Sequence, residues 1–131
     1  MKIAEKTFVD TDVLIDLARS LPRAVQFCRR AETQGGLACS VISVMELLAG
    51  CRTPADQSTL LKNLVDVDVM HVESGDSVDA LKWYRTYHLS QGIGILDCFI
   101  AATAARLDCV VHTLNTKHFR VVPGLRVKRP Y

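Results

Sequence analysis

The chain has 131 residues, with 49% hydrophobic and 23% charged positions. That is the size of one domain with enough apolar surface for a full core, and it excludes disorder. Sixteen basic against fourteen acidic residues give a formal charge of +2, which excludes a histone-like polycation or an acidic tail protein. The longest uncharged stretch, Thr33 to Met45, has 13 residues, too few for a membrane span. Glu5 and Lys6 stand where a secretory signal needs its apolar region. Five cysteines, an odd number with no C-x-x-C pair, read as small buried thiols in a reducing, cytoplasmic setting. A zinc site built from His112, His118 and a cysteine has no recognised ligand spacing.

Short β-branched runs alternate with longer helical ones. Thr7 to Val9 reads as a strand ending at Asp10, followed by a short helix over Val13 to Ala18. Pro22 opens a helix reaching about Thr33, stopped by Gly35 and Gly36. Leu37 to Ile42 has the length of a buried strand, and Ser43 to Ala49 reads as a helix closed by Gly50. Thr53 and Pro54 open another helix, to about Val65, before a strand over Val67 to Val72. Ser74 to Leu89 and Asp97 to Leu107 read as helices, Val110 to Thr113 and Val121 to Val127 as strands. This alternation predicts one α/β domain over residues 1–131 with a mainly parallel central sheet flanked by helices. Ligands of such folds bind beyond the carboxyl ends of the strands.

Three acids stand in apolar surroundings: Asp10 after Phe8-Val9, Glu46 in VISVMELLAG, and Asp97 in GIGILDCFIAATAA. Each has a local explanation. Asp10 or Asp12 can cap the helix that follows, Glu46 has capping-box spacing from Ser43, and Asp97 suits a helix N-terminus. No basic residue is placed locally to neutralise any of them, so neutralisation must come from elsewhere in the fold or from a cation. Hard oxygen ligands suit Mg²⁺ or Mn²⁺. Ala101, Ala104 and Ala105 share a face with Asp97 and are expected to let that helix approach the sheet.

The segments VDTDVLIDLARS, SVISVMELLAGCR and GILDCFIAATAARLDCVVHTLNTKHF, in that order, resemble PIN-domain ribonucleases. The resemblance runs from Phe8 to about Val122 and extends to the toxin component of VapBC-type toxin–antitoxin pairs. It implies a PIN-like three-layer sandwich, with Asp10, Glu46 and Asp97 as the metal-binding, catalytic acids. Thr11, Asp12 and Thr113 then shape the site, and His118 is a nearby polar candidate. A fourth position, often Asp in the family, is Asn115 here, a weaker ligand because it carries no charge. The implied chemistry is Mg²⁺- or Mn²⁺-dependent hydrolysis of RNA phosphodiesters by a growth-inhibiting toxin, with a cognate antitoxin as partner.

Basic residues, best concentrated in the tail from Arg126 through Lys128 and Arg129, are candidates for phosphate contact. Trp83, Tyr84 and Tyr87 read either as core packing or as a homodimer surface. Three further readings compete. A receiver-like phosphoacceptor leaves Glu46 and Asp97 unexplained, a non-catalytic PIN-like binding module draws on Asn115, and a PIN nuclease of RNA processing keeps the chemistry without the toxicity. With three acids converging, the remainder of the chain carries 16 basic against 11 acidic residues, an acidic pocket in a basic body suited to RNA.

Overall fold

The computed structural model describes residues 6–131; Glu5, which with Lys6 stands where a secretory signal needs its apolar region, lies outside them. The elements run β1 (Thr7–Val9), α1 (Thr11–Ala18), α2 (Pro22–Thr33), β2 (Leu37–Ser40), α3 (Val41–Ala49), α4 (Pro54–Asn63), β3 (Asp68–Met70), α5 (Ser74–Gln91), α6 (Ile95–Arg106), β4 (Val111–His112), α7 (Thr116–Phe119) and β5 (Val127–Lys128). The strands form one parallel sheet in the order β3-β2-β1-β4-β5.

Side-chain alternation along these short strands divides the core in two. Phe8, Ala38 and Val111 face α5 and α6, where Ile93, Ile100, Ala101 and Leu107 complete one cluster. Val9, Leu37 and Cys39 face the other way and pack with Val13, Leu14, Cys28 and Ala31 of α1 and α2. The result is the expected three-layer sandwich. Trp83, Tyr84 and Tyr87 pack, half-buried, against the first cluster.

Several features differ from the sequence reading. The apolar run at 37–42 is a strand only to Ser40, whose hydroxyl accepts the Ile42 N–H and caps α3. The capping-box role expected for Ser43 therefore falls away, since Ser43 is buried inside α3. The expected strand over 121–127 is confined to Val127–Lys128, because Val122 N–H bonds back to Phe119 O and Gly124 turns the chain at φ 75°. A one-turn helix, α7, precedes it unforeseen. On α6, Ala101 and Ala104 are buried as expected, but Ala105 faces solvent.

The chain moves outward from β1 through β2 to β3, then crosses back to β4 and β5 on the other side of β1. The sheet order therefore reverses between β1 and β4. A crevice forms beyond the carboxyl ends of two such strands. Asp10 directly follows β1 and Thr113 directly follows β4.

Candidate active site

Asp10 is the N-cap of α1, and its Oδ1 accepts the Thr11 N–H at 2.8 Å. The capping explanation is thus realised, yet it uses one oxygen only. Oδ2 accepts the Thr113 hydroxyl at 2.8 Å. That hydroxyl also takes the Asn115 N–H at 2.9 Å and stands 3.3 Å from Asp12 Oδ2, which accepts the Leu114 N–H at 3.0 Å. The exits of β1 and β4 are stitched together by two carboxylates and one buried threonine.

On the other side, Thr11 reaches α3. Its hydroxyl donates to Glu46 Oε1 at 2.7 Å, with Ser43 Oγ 2.8 Å away. A carboxylate only accepts, so the Thr11 proton belongs to Glu46. Asp97 sits in the first turn of α6 and accepts from the Gly94 backbone N–H, the helix-start role foreseen for it. His118 Nδ1 lies 3.7 Å from Asp97 Oδ2 and accepts from Asn115 Nδ2 at 2.9 Å. Asn115 thus leans toward His118.

The electrostatics of this cluster follow from burial and like charge. Asp10 is 5% exposed. Burial, then repulsion from Asp12, push its pKa up to about 7, against the bonds from Thr113 and Thr11 and with a further push from Asp97. Burial also raises Asp12, its bonds to backbone N–H groups opposing. Asp97 is raised by burial and by Glu46, while His118 pulls the other way. No lysine or arginine pairs with Asp10, Asp12, Glu46 or Asp97 among the described residues.

The donor chemistry fits a hard divalent cation. All four acids offer oxygen, and Asp12 Oδ1 is buried without a hydrogen-bond partner. The acids stand apart: among the described residues, no three His, Cys, Asp or Glu side chains already hold a metal-ligating arrangement. The two histidines of the zinc alternative have different neighbours, His118 standing beside Asp97 and Asn115. His112 points to α2 and hydrogen-bonds Phe8 O, and burial raises the thiols of Cys28, Cys98 and Cys109 to about 11 and of Cys39 to about 12. Sequence spacing carries no signal for the link from Thr11 to Ser43 or for the bond from Thr113 to Asp10.

The PIN-domain family model matches residues 7–125. The chain belongs to the PIN-domain family. It is 36% identical over 121 residues to the ribonuclease VapC10 of Mycobacterium tuberculosis, covering 90% of this chain and 89% of that one. The ribonuclease VapC19 of the same organism is 30% identical over 125 residues, covering 90% and 95%. Among solved structures, a toxin–antitoxin complex from Klebsiella pneumoniae aligns with a TM-score of 0.76 at 25% identity, covering 95% of this chain and 98% of that one. VapBC2 from Rickettsia felis, bound to promoter DNA, shares the fold with a TM-score of 0.78 at 18% identity, covering 94% and 97%. A receiver-like fold is excluded by this PIN membership.

Proposed function

We propose that this PIN domain is a metal-dependent endoribonuclease acting as the toxin of a VapBC-type pair, with Asp10, Glu46 and Asp97 as its metal-binding acids. The observation that carries the reading is the uncompensated acidic cluster at the β1/β4 crevice. Buried carboxylates without a basic partner are costly unless a cation joins them. Ribonuclease relatives at 36% and 30% identity supply the substrate class.

A divalent cation, when bound, supplies charge neutralisation of the scissile phosphate and acidification of an attacking water. The chain's own residues do the rest. Thr113 and the Thr11 N–H fix both oxygens of Asp10, and Thr11 aims Glu46 inward from α3. Asp12, held by Leu114 N–H, keeps a buried Oδ1 without a hydrogen-bond partner. Asn115, tied to His118, is a weaker, uncharged ligand. Cleavage of structured RNA by the wild type with Mg²⁺ or Mn²⁺, its loss with chelator, and its loss in Asp10→Asn test the assignment. Equal activity in wild type and variant overturns it.

The antitoxin reading has a surface to match. A recess of about 310 Å³ between α1, α3 and α4 is lined by Ile15, Ala18, Leu47 and Leu60, with Glu46 at its edge and Arg19 beside it. A helix or extended segment laid there meets Glu46. Self-association is read onto α5 and α6, where Val78, Leu81 and Ile95 are more than half exposed beside a recess bordered by Tyr84 and Phe99. Light scattering on the purified chain checks it, and a monomer at all concentrations rejects it. Among the described residues no helix is long and apolar enough to cross a membrane, and the five cysteines are free thiols, in keeping with action in the cytoplasm.

A further inference from the structure

On the α2 face of the sheet a recess of about 260 Å³ opens between α2, Thr7 at the start of β1 and the β4–β5 edge. Phe27, Arg30 and Gln34 of α2, His112 of β4, Lys128 of β5 and Pro130 border it, and no carboxylate does. The sheet register sets His112 directly beside Lys128. The His112 ring packs on Phe27, 5.4 Å between centroids, and its Nδ1–H donates to Phe8 O at 3.1 Å, which leaves Nε2 uncommitted.

The cations of this recess differ from the chain's paired ones. Lys6 is bound to Asp68, Arg106 to Glu73 and Asp76, and Arg126 to Asp108. Arg30 and Lys128 have no ion pair among the described residues, although they border the same small space. Two like charges so placed repel, which does nothing for folding and creates a field suited to an anion. An arginine fork and a lysine ammonium together suit phosphate oxygens, and Gln34 adds a neutral donor. The volume lies at the low end of small-ligand pockets, too small for a duplex and sufficient for part of one nucleotide.

We propose that this recess seats a backbone phosphate of a single-stranded segment of the RNA substrate, next to the nucleotides at the acidic crevice. The proposal rests on the ribonuclease reading and adds a substrate subsite to it. The path between the two places is short in the chain. Thr113, which bonds Asp10, follows His112, and Arg129, which follows Lys128, donates to Leu114 O at 3.3 Å beside Asp12.

The test uses the whole chain with chelator, so that binding is read without turnover. The probes are a short single-stranded RNA and 5′-AMP. Arg30→Glu and Lys128→Glu are each expected to weaken RNA binding about tenfold, and together to reduce the slope of log affinity against log salt by about 1–2. Lys128→Arg keeps wild-type affinity, and Lys62→Glu on α4 serves as the remote charge control. Both recess positions are exposed, and unchanged thermal melts establish that the variants fold. RNA affinity that falls no more than in Lys62→Glu overturns the proposal. So does binding of 5′-AMP at His112, seen by NMR, without any effect of the variants on RNA, which assigns a free-nucleotide site. Unchanged RNA affinity with lost antitoxin capture likewise overturns it and assigns the recess to the protein partner. Wild-type cleavage is scored separately. If the chain cleaves RNA while Arg30→Glu and Lys128→Glu bind normally, only the recess falls. If it fails to cleave but binding depends on both residues, the recess stands and the ribonuclease reading falls.

Discussion

Two buried aspartates lie on opposite sides of this small domain, and the fold treats their charge in opposite ways. Asp76, 1% exposed near the start of α5, receives the Arg106 Nε at 2.9 Å and Nη2 at 3.1 Å, the Thr103 hydroxyl at 3.1 Å, and through Oδ2 caps Glu73 N–H. Burial opposes ionisation there, yet Arg106 and these bonds hold its pKa below the usual range. Asp10, 5% exposed, has hydroxyl and backbone donors but no cation, and feels repulsion from Asp12 and Asp97. The first aspartate is a finished structural joint between α5 and α6. The second is left electrically incomplete, which the needs of folding alone do not explain.

The largest expected effect breaks the finished joint. Arg106→Ala leaves Asp76 buried without its counter-ion and should cost about 3–5 kcal/mol in denaturant unfolding. A cost under about 1 kcal/mol would show that Asp76 relaxes to solvent. At the incomplete site the sign reverses. Ionising Asp10 inside the fold costs up to about 4 kcal/mol more than in water, given a pKa near 7 against 3.8. Asp10→Asn should therefore stabilise the metal-free protein above pH 7 while removing cleavage, and a lower melting temperature in the variant contradicts this.

The pH dependence separates the two sites further. A carboxyl whose folded pKa is raised holds its proton in the folded state where the unfolded chain has lost it. Asp10 thus makes the fold progressively less stable as pH rises from about 4 to about 7, by at most about 1.4 kcal/mol per pH unit. Asp76, with its pKa lowered, acts the other way: its stabilisation is present above the unfolded pKa and lost as pH falls through the folded one. Melts in chelator should improve from pH 7.5 to 5.5 and collapse in stronger acid. Asp10→Asn should flatten the first limb and leave the second. Divalent cation at pH 7.5 should raise the melting temperature of the wild type more than that of Asp10→Asn. The smallest change expected is for Thr11→Val, which strips Glu46 of its donor and should cost about 1 kcal/mol. Its cleavage defect should exceed that cost if the hydroxyl aims Glu46.

The order and type of the major elements were legible because Pro22, Pro54, Gly50 and the Gly35-Gly36 pair punctuate the chain. The strand-to-helix change at Ser40 was not. An apolar run buried on both sides has no period to read, and only the Ser40 capping bond sets the boundary. The 121–127 region misled for a related reason: β-branched residues there pack under a turn, with Val122 buried but bonded to Phe119 rather than to a neighbouring strand. The acids of the site stood out against apolar sequence, whereas their partners did not. Nothing in the spacing says that Thr113 would clasp Asp10 from 103 residues away, nor that Ser43 would meet Thr11.

That clasp bears on the order in which the domain is made. β1 is the central strand and precedes the others in the chain, but one of its neighbours, β4, is paired through Phe8 and Val111. Asp10 precedes Thr113 by 103 residues, so in a growing chain it waits for α1 through α6 before its partner arrives. Long-range parallel pairings of this kind close late because the chain entropy of a large loop must be overcome first. Shorter nascent chains, ending before β4, lack the Thr113 contact and the second wall of the crevice. The acidic centre is assembled only once β4 has joined the sheet, after β1, β2 and β3 and the helices between them.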